Sequence, residues 1–302
     1  MGYNYCFHSF AKINLFLKVD GKREDGYHDI ETVFQTVSLK DRIEVEFGGK
    51  GIVLETDRKD VPSGKENLIL KAIDLLKKEG YAIPGMKIKL RKTIPPGSGL
   101  GGGSSNAAVM LMGMNRYLDL RMSSQKMADC AQKLGSDVTF FLWGGTAAGR
   151  GRGNEIFPLP SLPDLWITLA TFEKKIHTSD AYSKIDSLLT DNENNNTISK
   201  FIYSIFQGKP DFSFAENDFE RLVLRKDSKL RQVRRIFQQR GSMSTLLTGS
   251  GSAFYGLFKE KKDAEEAASA VRKLGFCGRC TVCSTIDSVS YHKRLFGQTN
   301  QE

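Results

Sequence analysis

Apolar and polar positions alternate early in the chain. Ile13, Leu15, Leu17 and Val19 fall on one side and Lys12, Asn14 and Lys18 on the other, which predicts a strand over residues 9–19 with Lys12 and Asn14 sharing a face. A polar, glycine-bounded loop (21–28) separates it from a β-rich run over 30–37. Ile43, Val45 and Phe47 then alternate with Arg42, Glu44 and Glu46 as a further strand that stops at Gly48-Gly49. The period changes after Asn67, where Leu68, Ile69, Ala72, Ile73, Leu75 and Leu76 recur at helical spacing up to Gly80 and Asn67 suits the N-cap. Met86, Ile88 and Leu90 restore the strand period.

That strand leads into Pro95-Pro96-Gly97-Ser98-Gly99-Leu100-Gly101-Gly102-Gly103-Ser104-Ser105-Asn106, with five glycines in the seven positions 97–103. Such a backbone reaches positive φ and can approach a ligand closely. The apolar run over 107–120 predicts a helix, so the loop feeds a helix N-terminus whose free N–H groups and dipole favour an anion such as phosphate. A second helix is expected over 124–134. The turn Gly135-Ser136-Asp137 then precedes an apolar run, 138–143, expected to be a strand and closed by Gly144-Gly145. Pro158, Pro160 and Pro163 form a stiff stretch that marks a boundary between two domains, residues 1–160 and 161–302. Beyond it the pattern predicts a strand over 165–172 and helices near 179–188 and 197–206 around a polar loop, 191–196. A helix over 229–239, two strands broken by Thr248-Gly249-Ser250-Gly251-Ser252, a helix over 263–274 and a strand near 281–286 follow. This mixture points to an α+β fold.

Composition changes the picture only by exclusion. With 302 residues, 40% hydrophobic and 26% charged, the chain can bury a core in each of two domains and is neither disordered nor fibrous. No apolar run nears the roughly 18 residues of a membrane span, and no charged-then-apolar export signal opens the chain, so a cytoplasmic protein without a membrane partner is expected. The net charge of +9 suits an anionic partner, but the basic residues are scattered among acidic ones, which favours a small anion over nucleic acid. Gly149-Arg150-Gly151-Arg152-Gly153 is a basic run that either adds phosphate attraction or, as the blander reading, is a solvated hairpin. Five cysteines without an export signal predict reduced thiols. Cys277-Gly-Arg-Cys280-Thr-Val-Cys283 lacks a fourth metal ligand, and His8, His28, His177 and His292 bring no companion motif. These cysteines therefore read as small half-buried residues near a C-terminal strand.

The glycine-rich stretch lacks the Gly-Lys-Ser/Thr of a P-loop. Gly97, Gly99 and Gly102 fit G-x-G-x-x-G, yet the acidic residue that a dinucleotide fold requires about 20 residues on is missing. The stretch instead resembles the second motif of the GHMP kinase superfamily, and its Ser-Ser-Asn ending resembles the 4-diphosphocytidyl-2-C-methyl-D-erythritol kinases within it. Ala11-Lys12-Ile13-Asn14-Leu15 with Asp25-Gly26-Tyr27-His28 resembles that family's N-terminal signature. Gly135-Ser136-Asp137-Val138 resembles its Gly-Ala-Asp-Val segment, with Thr139 where proline is usual, and Leu247 to Ala253 resembles the superfamily's third motif. The resemblance spans residues 9–260.

The resemblance implies a two-domain GHMP kinase architecture, with a left-handed βαβ unit in the N-terminal domain, a ferredoxin-like C-terminal domain and the active site between them. It implies ATP-dependent phosphorylation of the substrate 2-hydroxyl, with Asp137 as catalytic base and Lys12 as its charge partner and phosphate contact. Phosphoryl transfer needs little else than positioning, charge neutralisation and a proton acceptor. ATP would meet Asn67, the loop residues Pro96, Gly97, Ser98, Gly99, Leu100, Gly101, Gly102, Gly103, Ser104, Ser105 and Asn106, and, from the other domain, Gly249, Ser250 and Gly251. Ser104 or Ser105 would help hold Mg²⁺, which keeps most of its shell as water and phosphate oxygens, and no dedicated protein metal site is expected. Asn14, Tyr27, His28 and Phe34 would line the substrate site, with Thr178 and Tyr182, four residues apart on one helical face, toward the pyrimidine. A monomer or weak homodimer is expected.

Overall fold

The structure, a computed structural model, describes residues 4–172, 196–224 and 227–298. Its frame is a pair of long antiparallel strands, β1 (Asn4–Lys22) and β2 (His28–Phe47). The two strands expected over 30–37 and 42–47 are therefore one. Register shifts at Phe10/Ala11, Asn14/Phe16 and Val19/Gly21 bend the pair, as an extra residue in one strand does. The bend lets β2 serve two neighbours, β5 (Thr146–Arg150) along its first half and β4 (Met86–Arg91) along its second. The seven-stranded sheet has the order β11-β1-β2-β4-β3, with β5 on β2 and β6 (Glu155–Pro158) on β5. In it β3 (Ile52–Thr56) lies parallel to β4, the two joined through α1 (Leu68–Lys78). A second, antiparallel sheet runs β10-β7-β9-β8, from β7 (Trp166–Thr171), β8 (Ser244–Leu247), β9 (Phe254–Phe258) and β10 (Arg279–Ser284).

The helix after the glycine-rich loop, α2 (Gly102–Tyr117), begins at Gly102 rather than at Ala107, so the last two loop glycines are helical. It is followed by α3 (Ser124–Leu134) and α4 (Ser136–Trp143). The last of these corrects the strand expected over 138–143. A run of consecutive apolar residues carries no period that separates strand from helix. Here Asp137 lies in the first turn, where an acidic side chain complements the helix dipole, and Gly144 ends the helix with φ 62°. The remaining helices are α5 (Thr197–Phe206), α6 (Asp218–Leu224), α7 (Ser228–Gln239), α8 (Lys261–Arg272) and α9 (Ser288–Arg294). The helix expected near 179–188 lies outside the described residues.

Three cores stack through the molecule. One packs α1 to α4 onto the long-stranded sheet through Ile69, Ala108, Phe140 and Phe141. A second lies between the sheets, with Ile13, Leu15 and Val33 against Ile167, Leu169 and Leu257. A third seats α7 and α8 on the smaller sheet through Val233, Phe237, Ala268 and Val271. The chain end returns to the first core: the Tyr291 ring of α9 is fully buried there, its hydroxyl donates to the Phe141 carbonyl, and β11 (Phe296–Gln298) pairs with β1. Among the described residues no helix is long and apolar enough to cross a membrane.

Candidate active site

Strand β1 carries Lys12 into the interior, where the side chain is 3% exposed. Its ammonium donates to Asn14 Oδ1 (2.7 Å), stands 3.4 Å from Asp137 Oδ2 and lies 5.2 Å above the Phe34 ring. Asp137 reaches this point from the first turn of α4 with its carboxylate 35% exposed, so a buried cation and an open carboxylate face one another at a solvent boundary. The adjacent hydroxyl, Thr139 Oγ1, is buried without a hydrogen-bond partner.

Asn14 joins the two sheets. Its Oδ1 accepts from Lys12 Nζ and from the Gly249 N–H (2.9 Å), while its Nδ2 donates to Thr32 Oγ1 (2.8 Å). Its backbone N–H donates to Thr248 Oγ1 (3.1 Å), and its carbonyl accepts from the Tyr255 hydroxyl (3.0 Å). Burial raises the Tyr255 hydroxyl, keeping it a donor. With every polar group of Asn14 engaged inside the protein, the residue couples β1 to the loop 248–252.

That loop lies against the glycine-rich one. Lys12 donates its N–H to the Leu100 carbonyl (3.0 Å), and Ala253 donates its N–H to the Ser98 carbonyl (3.0 Å). Gly99 has φ 80°, and a Cβ there would stand 2.2 Å from the Thr248 carbonyl oxygen; a Cβ on Gly101 would stand 2.8 Å from the Phe141 ring. The glycines are thus required both by backbone conformation and by close approach. Gly101 precedes α2 in left-handed conformation with no side-chain cap. The first-turn N–H groups of a helix have no intrahelical partner, and with the helix dipole such an end favours a negative charge.

A buried ionic centre beneath the loop carries no signal in the spacing of its residues. Asp41 of β2 is fully buried; its Oδ1 accepts from the N–H groups of Thr93 (2.7 Å) and Ile94 (2.8 Å), and its Oδ2 pairs with Lys92 Nζ and accepts from Asn106 Nδ2 (3.0 Å). Burial pulls the Lys92 ammonium down against the opposing pull of Asp41. A Cβ on Gly102 would stand 2.7 Å from Lys92 Nζ, so this cation sits just under the start of α2. Asn106 therefore faces inward, toward Ser9 and Asp41. Asn67 caps α1 through its Oδ1 and the Ile69 N–H (2.9 Å), and donates to the Pro62 carbonyl (2.7 Å).

The structure brings Lys12, Asn14, Phe34 and Asp137 together and sets Ser98 and Gly99 of the glycine-rich loop against the loop 248–253. Tyr27 stands apart from the core at 52% exposure, and the Arg152 guanidinium lies 3.4 Å over its ring centre, a stack that gives the glycine–arginine hairpin an aromatic partner. His28 is buried. Thr178 and Tyr182 lie outside the described residues.

Comparison with known sequences fits this geometry. Residues 67–145 match the family described as GHMP kinases N terminal domain, and residues 207–276 match GHMP kinases C terminal. A 4-diphosphocytidyl-2-C-methyl-D-erythritol kinase from Listeria monocytogenes serotype 4b (strain CLIP80459) is 36% identical over 270 residues, spanning 88% of this chain and 90% of the relative. The chain belongs to the GHMP kinase family. GHMP kinases use ATP, and the two-sheet arrangement is that of the two-domain GHMP kinase architecture. The crystal structure of a 4-(cytidine 5'-diphospho)-2C-methyl-D-erythritol kinase superposes with a TM-score of 0.78 at 32% identity, covering 93% of this chain and 98% of that one. Homoserine kinase from Cytophaga hutchinsonii shares the GHMP kinase fold, with a TM-score of 0.70 at 16% identity over 93% of this chain and 95% of its own.

Proposed function

We propose that this GHMP kinase transfers the γ-phosphoryl group of ATP to the 2-hydroxyl of 4-diphosphocytidyl-2-C-methyl-D-erythritol. The observation that carries the reading is the pairing of Lys12 with Asp137 at 3.4 Å beside the glycine-rich start of α2. The substrate assignment rests on the names of the relatives. Asp137 takes the hydroxyl proton as the oxygen attacks in line, and Lys12 offsets the charge on the transferring group. The N–H groups from Gly101 to Ser104 and the loop 249–251 hold the ATP phosphates between residues 1–160 and 161–302.

Ser105 Oγ, buried near this helix end without a hydrogen-bond partner, is a side-chain oxygen that fits magnesium carried by the nucleotide. The ion supplies charge neutralisation on the phosphates. Tyr27 and His28, together with Thr178 and Tyr182, recognise the cytosine; the Tyr27 ring, on which the Arg152 guanidinium stacks, is the aromatic surface that suits a planar base. The enzyme works in the cytoplasm as a monomer or weak homodimer on a small molecule, without nucleic acid or membrane.

Replacing Asp137 by Asn tests the assignment. ADP release at saturating substrate should fall by about 10²–10⁴-fold, the usual contribution of general-base catalysis, while ADP still binds. A near-normal kcat in a folded variant would remove Asp137 from the chemistry. Equal turnover of mevalonate or homoserine, with no response to the cytidine substrate, would remove the substrate assignment.

A further inference from the structure

A short segment that leads into α6 takes hold of the loop 248–252 from behind. The Glu216 carbonyl accepts from the Leu17 N–H (2.8 Å), Asn217 bridges to Leu17 in parallel register, and Asp218 Oδ2 accepts from the Val19 N–H (2.8 Å). The segment therefore lies along β1, the strand that carries Lys12 and Asn14. From there two buried side chains reach the end of β8. Asn217, 4% exposed, donates Nδ2 to the carbonyls of Leu247 (2.8 Å) and Gly249 (2.9 Å). Glu220 accepts from the Leu247 N–H at Oε2 (3.2 Å) and from Arg234 Nη1 of α7 at Oε1 (2.7 Å).

The Asn217 amide has one orientation that satisfies its neighbours. Its Oδ1 accepts from the Phe219 N–H (3.0 Å) in the first turn of α6, so both hydrogens of Nδ2 are turned toward the two carbonyls. Gly249 is thereby held at both of its backbone groups: its N–H donates to Asn14 Oδ1 (2.9 Å), and its carbonyl accepts from Asn217 Nδ2 (2.9 Å). Glycine has a wide choice of backbone conformations. The two amides select one, with φ 58°, that sets a Cβ position on Gly249 only 3.2 Å from Gly99 Cα of the glycine-rich loop.

We propose that Asn217 is a positioning residue for phosphoryl transfer: by fixing the Gly249 carbonyl it holds the turn 249–251 at the separation from the glycine-rich loop that the ATP phosphates require. The inference rests on the reading that those phosphates lie between the two loops. Asn217 acts through Gly249 and not on the nucleotide itself. The cytidine end of the acceptor is met by Tyr27 and His28, at the far end of the β1–β2 pair from these contacts, so its binding is indifferent to Asn217.

Two variants separate the parts of the side chain. Asn217→Asp keeps the volume and the oxygen that accepts from Phe219 but removes both donors, and Asn217→Ala removes the whole amide without burying a charge. Each, after a check of cooperative thermal unfolding, is measured for ADP affinity by calorimetry and for the KM of both substrates. ADP affinity should fall and the KM for ATP rise by about tenfold, the scale of one lost hydrogen bond, with the KM for the cytidine substrate unchanged. Gly249→Ala should weaken ADP binding as well, whereas Val271→Ala, which trims the core under α8, should not. A folded Asn217→Ala that binds ADP like the unmodified protein, while Gly249→Ala does not, would overturn the proposal and leave the phosphate reading of the loop standing. Normal ADP binding by both would overturn that reading and the proposal with it. An equal rise in KM for both substrates, or the same loss of ADP affinity in Val271→Ala, would make Asn217 a support of the fold alone and overturn its positioning role.

Discussion

Gly99 carries two constraints at once, a φ of 80° and a backbone oxygen 2.2 Å from where a Cβ would stand. Gly99→Ala therefore strains the backbone, by about 1–2 kcal/mol for the left-handed conformation, and drives the Thr248 loop away. The expected result is a folded protein whose kcat/KM for ATP drops by about tenfold or more, since misplacement on the scale of an ångström is costly to positioned chemistry. Thermal unfolding and steady-state kinetics on the same preparation check it; unchanged kinetics would separate this glycine from the site. Lys12, Asp137 and the glycines could be singled out as candidates in the sequence because the GHMP kinase motifs are local, and the structure places Lys12 3.4 Å from Asp137. Asn14 was legible only as a lining residue. Its partners Thr248 and Gly249 lie more than 230 positions away, and nothing in a β-strand alternation says which distant backbone a buried amide will meet.

Helices and strands were readable in proportion to how strongly their period was marked. The mixed period of α1 and the alternation of β4 gave their elements directly, whereas the uniformly apolar run in α4 did not, and short β11 carried too few residues to announce itself. Contacts between elements were less visible still. Glu79, which caps the end of α1, accepts from Lys126 and Lys133 of α3, and these two bonds hold its carboxyl down at about 2, against 4.5 for a free glutamate. The folded state keeps this carboxylate ionised where the unfolded chain would protonate it, so the tie contributes stability above about pH 4.5 and loses it as the pH falls toward 2. Glu79→Gln should lower the melting temperature at pH 7, and the gap to the unmodified protein should close on acidification through that window. A gap independent of pH would show that the two lysines do not act through the charge of Glu79.

Across the whole molecule, the chain end completes the first core. Tyr291 is fully buried, packs against Gly144 at the close of α4 and hydrogen-bonds Phe141. Tyr291→Ala should destabilise the protein by about 3–5 kcal/mol, as the loss of a large buried aromatic does. Denaturant unfolding should show a lower midpoint, and a shift under 1 kcal/mol would mean that α9 is only a surface appendage. The sequence suggested a boundary at the prolines, and a linear reading has no means of seeing that residues beyond 286 fold back onto the part before it.

The amide of Asn14 also bears on how far these enzymes are modular. Its single oxygen is shared by an ammonium from the first part of the chain and a backbone N–H from the second. The two parts are therefore not free to be exchanged as cassettes. A chimera that grafts residues 161–302 from a relative will assemble a working site only if the graft brings a hydroxyl at 248 and an unhindered turn at 249, so recombination between relatives is filtered at these two positions before substrate preference is ever tested.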